Sequence, residues 1–351
     1  MGGSRIQRPR LHARSRDRPY PGRGDHGTKR GRGAGDLLAC PLRSGPARSR
    51  APGDLRVLLQ LLANGLVAGA VVAIAAVGVS LLYGILRLVN FAFGDLMTLG
   101  AFVGVYANVA GGIPIAAATV VAMAATAALS VALEYVLWRP LRARGARFMS
   151  LFLASIGLAL ILRQAILLVA GPQPRSFDVD PYKVYVLGDI RLSVGQALAF
   201  LVAVAAIVVV GLLLGLTTTG RSMRAVADDR ALASVAGIHT ARIVVLTWIL
   251  AGLLAGLAGV LAGLVQSSFD PNFGFALLLP TFAAVVLGGI GSAYGALAGG
   301  LLLGLATELS TWHGFLGGVD PVYKPVVAFV VLIAALLLRP QGLLGRAVRA
   351  A

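Results

Sequence analysis

The sequence contains few of the side chains that form disulfides, metal sites or acid–base catalytic groups. Its 351 residues include one cysteine, four histidines and 14 acidic residues. Cys40 has no second cysteine with which to form an intrachain disulfide. His239 and His313 are isolated from other metal ligands, and no nucleophile stands in a pattern with a base. We therefore predict no catalytic residue, no cofactor and no metal site, and expect that this chain is not itself an enzyme.

Charged residues are also scarce. They make up 13% of the chain, about half the share usual in soluble domains, whereas 58% of the residues are hydrophobic. The apolar runs are continuous rather than alternating, which favours membrane helices over a barrel. We predict an all-α fold, a polytopic helical bundle in a lipid bilayer with about eight spans. The predicted spans are 57–82, 96–110, 115–138, 148–170, 194–216, 243–265, 276–306 and 322–338.

Positive charge is concentrated near the start of the sequence and in a few loops. The net charge is +17, and residues 1–56 contain 14 Lys or Arg against four Asp or Glu. Such clustering indicates membrane topology rather than a nucleic-acid-binding surface, so we expect no nucleic-acid partner. By the positive-inside rule, loop 139–147, segment 220–242 and the tail 346–351 are predicted to be cytoplasmic.

Residues 1–54 are rich in Arg, Gly and Pro, and are predicted to be a disordered basic segment ahead of a membrane domain at 55–345. Three explanations are open: a basic tail near anionic lipid, a disfavoured nucleic-acid arm, or upstream DNA translated from a wrongly chosen start codon. The third is favoured because apolar sequence begins abruptly near Leu55. No methionine lies between Met1 and Met97, so such a start would need another codon.

Two apolar segments, 83–95 and 280–300, are interrupted by polar residues or glycines. If the N-terminus is cytoplasmic, the predicted spans do not place the arginine-rich loops in the cytoplasm. Each half of the chain needs one crossing more, or one fewer, than hydropathy gives. Broken or re-entrant helices in these segments would remove the discrepancy, since irregular backbone at membrane depth lies inside protein or along a cavity. The alternative is a short span that hydropathy fails to separate.

Segment 220–242 passes from charged surface sequence into an apolar span. Residues 223–236 contain no Pro or Gly and precede Gly237, so we predict one short amphipathic helix there. Such a helix could occupy a groove of a partner and pass motion into the span at 243–265. A solvated loop helix, or one lying on lipid, is the alternative. The candidate docking residues are Arg221, Arg224, Asp228, Leu232, Val235 and Gly237.

Glycines and polar residues at membrane depth mark further candidate positions. Gly288, Gly289 and Gly291 each destabilise a helix by about 1 kcal/mol relative to alanine, which indicates a hinge. Glu134 and Arg163 lie near enough to span ends to pair structurally or to reach the surface, and nothing suggests a proton relay. The polar residues expected at membrane depth are Asn90, Asp95, Glu134, Arg163, Gln164, Gln266 and Glu308.

Several short runs stand in a recognisable order along the chain: QLLANGL at 60–66, YGI at 83–85, NFAFGD at 90–95, GRSMRA at 220–225, AGI at 236–238, FAAVVLGGIGS at 282–292 and PQGLLG at 340–345. In these runs the chain resembles a known family, the LivH-like permeases of bacterial branched-chain amino acid ABC importers. The resemblance covers about residues 60–345. Phe93 stands where histidine is common in the family, which weakens a polar role at that position.

The resemblance implies a complex in the bacterial plasma (inner) membrane. Its other members would be a second, LivM-like permease, two ABC ATPase subunits and an extracytoplasmic substrate-binding protein. Segment 220–242 would dock on an ATPase, ATP hydrolysis would belong to the partners, and this chain would form half of the translocation path. The implied path or hinge residues are Asn90, Phe91, Phe93, Gly94, Gly288, Gly289 and Gly291.

Three other functions are open at this stage. A related ABC importer for urea, amides or sugars would share these features, because specificity mostly lies in the binding protein. An ion-coupled secondary transporter would need paired carboxylates or an ion cage at mid-membrane, which the sequence does not offer. A structural membrane scaffold would not depend on Gly288 or Asn90.

Overall fold

The computed structural model describes residues 52–179, 184–187, 190–312, 318–339 and 342–344. Several predictions concern residues outside these ranges: the basic segment as far as residue 51, His313, and the tail at 346–351. The first helix already begins at Pro52, slightly before the predicted start of the membrane domain.

Helices make up nearly all of the described chain, which confirms the predicted all-α membrane bundle. Seven of them are long and apolar enough to cross a membrane, and two further apolar helices are shorter. The helices are α1 (Pro52–Leu86), α2 (Phe93–Val105), α3 (Ile115–Leu133), α4 (Arg139–Ala143), α5 (Phe148–Ala170), α6 (Val194–Leu216), α7 (Thr218–Asp228), α8 (Arg230–Val235), α9 (Thr240–Gln266), α10 (Phe273–Gly288), α11 (Ala293–Leu309) and α12 (Lys324–Leu338).

Short π- and 3-10-helical turns extend some of these helices. A π-helical turn, Tyr106–Ala110, continues α2, and a second one, Glu134–Trp138, joins α3 to α4 without a break. A 3-10 turn, Pro321–Tyr323, precedes α12. The long apolar helices at 93–110 and 115–143 therefore include these turns.

Close helix packing through glycine forms the centre of the bundle. α1 and α9 are mostly buried, whereas α5, α6 and α12 expose most of their apolar surface, as helices facing lipid or another subunit do. Gly304 of α11 lies so near α1 that an added Cβ would be 2.2 Å from the Cα of Gly69. Gly252 of α9 approaches Ala127 of α3 in the same way, with 2.6 Å between an added Cβ and the Ala127 Cα.

A β-hairpin lies between α5 and α6. Strand β1 (Val184–Leu187) pairs antiparallel with β2 (Ile190–Ser193). The Gln60 side chain holds this hairpin to α1: its Nε2 donates to the Arg191 carbonyl at 2.8 Å, and its Oε1 accepts from the Arg191 N–H at 2.8 Å. The start of α1 and the hairpin are therefore at the same end of the bundle, which we call the hairpin end.

The opposite end carries the arginine-rich loops. Arg87, just after α1, donates to the Ala227 carbonyl of α7, and one cleft is lined by both Arg142 after α3 and Arg242 of α9. The N–H of Leu343, beyond α12, donates to the carbonyl of Leu287 at the end of α10. We call this region the arginine end.

These contacts explain the discrepancy in the count of crossings. α1 starts at the hairpin end, so α1, α2 and α3 bring loop 139–147 to the arginine end without an extra crossing. The assumption that the first span starts on the side of that loop was wrong. In the second half, the predicted span 276–306 is two helices, α10 and α11, joined by a turn at 289–292. Both interrupted segments do contain breaks, at 87–92 and 289–292.

Candidate functional site

The first interruption returns into the bundle before α2 begins. α1 ends at Leu86, and the non-helical residues that follow include the buried Leu88 and Asn90. The ring of Phe93 fills the space beside Gly78, where an added Cβ would be 2.6 Å from the ring. Gly78 is eight residues before the end of α1, or about 12 Å along the helix. The irregular backbone therefore lies inside protein, as membrane depth requires.

Asn90 supplies a hydrogen bond to this irregular backbone. Its Oδ1 accepts from the N–H of Ala92 at 3.1 Å, and its carbonyl accepts from the N–H of Phe93 at 3.3 Å. Asn90 is only 2% exposed and Phe93 is fully buried. Gly94 is buried as well, because an added Cβ would be 2.7 Å from the Gly274 carbonyl of α10. Among these predicted path or hinge residues, Phe91 alone is partly exposed.

Phe91 joins the interruption to two neighbouring helices. Its ring centroid lies 5.2 Å from that of Phe152 in α5, edge to face, and 5.2 Å from that of Phe282 in α10. Phe148 extends the row, stacked 6.4 Å from Phe152 and about half exposed. We call these four rings the aromatic face. Its other three rings are partly exposed, and both α5 and α10 carry exposed apolar residues.

A buried ion pair lies beside the aromatic face. The Nε of Arg163 in α5 donates to the Asp95 Oδ1 at 3.1 Å, and Nη2 is 3.4 Å from Oδ2. The same guanidinium lies 4.3 Å above the centroid of the Phe275 ring of α10. Asp95 is fully buried, and in the described part of the chain Arg163 is the cation that pairs with its carboxylate. The sequence named Asp95 and Arg163 separately, and the fold joins them.

The other polar residues expected at membrane depth lie near the ends of the bundle. Glu134 pairs with Arg142, and Glu308 pairs with Lys324 at 2.6 Å. Gln164 and Gln266 are exposed. In the described ranges, no three His, Cys, Asp or Glu side chains are grouped closely enough to hold a metal ion.

The second interruption is a glycine turn between two packed helices. α10 ends at Gly288, and Gly289 and Gly291 have φ of +106° and +85°, which favour glycine. An added Cβ at Gly288 would be 2.0 Å from the Gly295 carbonyl, so α10 and α11 touch through their backbones. The Ser292 Oγ caps α11 by accepting from the N–H of Gly295 at 3.1 Å.

The segment after α12 completes the end of α10. The N–H groups of Leu343 and Leu344 donate to the carbonyls of Leu287 and Gly288 at 2.9 and 3.0 Å. These carbonyls have no partner within the helix, since the last turn of any helix leaves its carbonyls free. Gly342 has φ of +74°, and an added Cβ there would be 2.5 Å from the Gly289 nitrogen. The glycine turn is thus held by a segment 50 residues later in the chain.

The predicted docking helix is two helices rather than one. Asp229 has extended backbone and ends α7, and its Oδ1 accepts from the N–H groups of Ala231 and Leu232 at 2.8 and 2.9 Å. Aspartate is a strong helix N-cap, so it starts α8 instead of continuing α7. The sequence prediction of one helix over 223–236 was wrong for this reason.

The helices α7 and α8 differ in how they contact the bundle. α7 is anchored: Met223 and Val226 are buried, and the guanidinium of Arg224 donates to the Leu214 carbonyl at the end of α6. α8 exposes Leu232 and Val235, which are 67% and 87% accessible. Arg221 and Asp228 are exposed on α7, and Gly237 follows α8 with φ of +85°.

One arginine connects α7 to the first interruption. The Nη2 of Arg87 donates to the carbonyl of Ala227, in the last turn of α7, at 3.2 Å. Arg87 has φ of +52°, a left-handed conformation that is uncommon for residues other than glycine. No local sequence pattern indicates this contact, because the two residues are 140 positions apart.

The chain matches the family described as branched-chain amino acid transport system / permease component over residues 61–336. It belongs to that permease family. The permease is 33% identical to the high-affinity branched-chain amino acid transport system permease protein LivH of Escherichia coli (strain K12), with 82% of this chain and 96% of LivH covered. It is 34% identical to the corresponding permease protein BraD of Pseudomonas aeruginosa, with the same coverage.

A solved structure of PsaBC from Streptococcus pneumoniae in complex with Fab is also similar to the permease. The TM-score is 0.44 at 15% identity, covering 79% of this chain and 91% of that one. No functional argument rests on it. The family match and the seven long apolar helices make the permease a multi-pass membrane protein of the LivH-like group.

We predict that the buried ion pair stabilises the permease. Arg163→Gln would leave the Asp95 carboxylate buried without a cation, and removing one partner of a buried pair costs about 3–5 kcal/mol. Unfolding of the purified permease in detergent measures the loss. Asp95→Asn combined with Arg163→Gln should recover most of it, and Gln164→Ala, at the exposed neighbouring position, should change stability by less than about 0.5 kcal/mol. Equal stability of Arg163→Gln and the wild type would contradict the prediction.

Proposed function

We propose that the permease is the membrane-spanning subunit of an ABC importer for branched-chain amino acids. The observation that carries this proposal is the family match over nearly the whole membrane domain, together with relatives named as high-affinity branched-chain amino acid permeases. The partners would be a LivM-like permease, two ABC ATPase subunits and an extracytoplasmic binding protein. ATP hydrolysis would belong to the ATPase subunits.

The arginine end is proposed to face the cytoplasm of a bacterial cell, in the plasma (inner) membrane. Its loop 139–147 carries four arginines and no acid, and the positive-inside rule assigns such loops to the cytoplasm. The C-terminus is then cytoplasmic too, because residues 342–344 contact the end of α10 there. The hairpin end would face the binding protein.

Segment 220–242 is proposed to be a cytoplasmic coupling segment that binds an ATPase mainly through α8. Leu232 and Val235 are large apolar side chains exposed at the arginine end of the bundle, and such exposed apolar groups are typical of interaction sites. A helix with one such face fits a hydrophobic groove. Arg221, Asp228 and Gly237 flank this face, whereas Arg224 serves the end of α6 and is a weaker candidate for contact.

Motion of an ATPase would reach the first interruption through Arg87. α7 is packed on the bundle, and its last turn holds the Arg87 guanidinium through the Ala227 carbonyl. Displacing α7 would therefore pull on residues 87–92, whose backbone is already irregular. Such a segment can change its dihedral angles without breaking a regular helix.

The path is proposed to run along the aromatic face, between this permease and the LivM-like subunit. Phe91, Phe152 and Phe282 offer apolar contact suited to an aliphatic side chain, and α5 and α10 are not covered on that side. The buried Asn90, Phe93 and Gly94, with Gly288, Gly289 and Gly291, would act as hinge residues. Weak binding along the path favours release at the far side.

Transport by the reconstituted complex tests the function. Vesicles with both permeases, both ATPases and the binding protein should take up leucine, isoleucine and valine when ATP is supplied, and should not take up urea. Vesicles with this permease alone should take up none of them. Faster uptake of urea than of leucine would assign the permease to a different importer, and uptake without the ATPases would indicate a secondary transporter.

Charge on the exposed face of α8 should prevent docking. The double variant Leu232→Asp with Val235→Asp places two carboxylates in a groove proposed to be apolar, and we expect at least a tenfold loss of co-purified ATPase. Ser234→Asp is the matched control, since Ser234 is exposed on the other side of the same short helix. ATPase recovery equal to the wild type in the double variant would place the interface elsewhere.

Loss of the Arg87 guanidinium should separate ATP hydrolysis from uptake. Arg87→Gln shortens the side chain and removes its charge, so the contact with Ala227 weakens while α8 is unchanged. We expect normal ATPase assembly, with at least fivefold less leucine imported per ATP hydrolysed. Arg144→Gln, an exposed arginine at the same end, should leave this ratio unchanged. An unchanged ratio in Arg87→Gln would exclude this route of coupling.

A further inference from the structure

We propose that a cleft at the arginine end binds the headgroup of an anionic phospholipid. The cleft has a volume of about 760 Å³ and lies between the end of α3, α4 and the start of α9, with the first residue of α8 at its edge. Its polar lining consists of Glu134, Tyr135, Arg139, Arg142, Arg230 and Arg242. Four guanidinium groups against one carboxylate make the cleft strongly positive.

Most of this positive charge has no carboxylate partner among the described residues. Arg142 pairs with Glu134, and Arg139 lies 5.7 Å above the ring of Tyr135. In the described part of the chain, no carboxylate forms an ion pair with Arg139, Arg230 or Arg242. Arginine forks match phosphate oxygens well, so a phosphate group is the complementary ligand.

A local irregularity in α3 shapes one wall of the cleft. The π-helical turn Glu134–Trp138 carries both Glu134 and Tyr135, which line it. Such turns are rare in helices and are frequent at functional sites. Glu134 is nearly buried, and by pairing with Arg142 it holds one guanidinium in place.

Apart from Arg242, the other wall of the cleft is apolar, and it belongs to the membrane-spanning helix α9. Val244, Val245 and Leu246 of α9 line it, and Leu246 is 37% exposed. Tyr135 is about half exposed, as aromatic residues at the membrane interface commonly are. A ligand that fits both walls has a phosphate at one end and an acyl chain at the other. A phospholipid has this form, whereas a free phosphate ion would leave the apolar wall uncovered.

The location of the cleft agrees with this ligand. Anionic lipids of the cytoplasmic leaflet attract basic groups at the membrane surface, and basic pockets between membrane helices bind their headgroups. Arg230 is the first residue of α8, so a bound lipid would also contact the docking helix. This location rests on the proposed cytoplasmic orientation of the arginine end, but not on the identity of the transported substrate.

Lipid retention tests the proposal. The full chain is reconstituted in nanodiscs of phosphatidylcholine with a minor fraction of phosphatidylglycerol or cardiolipin. Native mass spectrometry of the released protein then identifies the lipids that remain bound. We expect the wild type to retain the anionic lipids in preference to phosphatidylcholine. Arg139→Gln combined with Arg242→Gln should reduce this retention at least tenfold.

The control removes the same charge outside the cleft. Arg144 and Arg147 belong to the same loop as Arg139 but do not line the cleft. The double variant Arg144→Gln with Arg147→Gln should therefore retain anionic lipid like the wild type. Arg139→Lys with Arg242→Lys keeps the charge and should retain most of the lipid, which shows that the cleft still folds. Equal losses in the cleft and control variants would overturn the proposal in favour of general surface charge.

Two further outcomes would also overturn it. If inorganic phosphate at millimolar concentration displaces the lipid completely, the cleft is a phosphate site without an acyl component. If the complex with ATPase subunits loses the lipid while the permease alone retains it, the cleft is covered by a protein partner. Retention of anionic lipid by the complex, in the presence of phosphate, would support a lipid site.

Discussion

The hydrogen bonding of interrupted backbone is the constraint on which the rest of this structure depends. In a bilayer, a free N–H or carbonyl costs several kcal/mol, so each break in a helix requires a partner group inside the protein. At the first interruption the partner is the Asn90 side chain. At the second it is the backbone of residues 343 and 344, which completes the end of α10. Both interruptions are thereby held in place rather than left loose.

Close packing makes these partners available. Gly288 and Gly295 bring α10 against α11, and Gly304 brings α11 against α1, with no room for a Cβ at these contacts. Without water in the bilayer core, such contacts stabilise helix association mainly through dispersion and shape. The fully buried Phe93 ring beside Gly78 shows the same fit between a large residue and a glycine. Glycine therefore serves helix packing in this bundle as well as the proposed hinge.

The functional parts of the permease lie at connected positions. The proposed docking helix α8 follows α7, and the last turn of α7 contacts Arg87. Arg87 precedes the interruption, which carries Phe91 and leads into α2 with Asp95. Phe91 and Asp95 in turn contact α5, through Phe152 and Arg163. A continuous series of contacts therefore joins the arginine end to the aromatic face, and a displacement at one could be transmitted to the other. The proposed lipid cleft adds a membrane ligand at the edge of α8.

Sequence alone determined the helical membrane class, the two interrupted segments and the family motifs, because hydropathy and turn residues are local properties. It also identified Asp95, Arg163 and the docking segment, but only as separate positions. The fold brings together residues that are distant in sequence. Examples are the pairing of Asp95 with Arg163, the contact between Arg87 and Ala227, the hydrogen bonds from residues 343 and 344 to the end of α10, and the cleft. The β-hairpin and the break at Asp229 were missed because their signals are weak beside long apolar runs. The break at Asp229 is a local capping effect. The other features could be decided only by the tertiary structure, since each depends on which elements pack together.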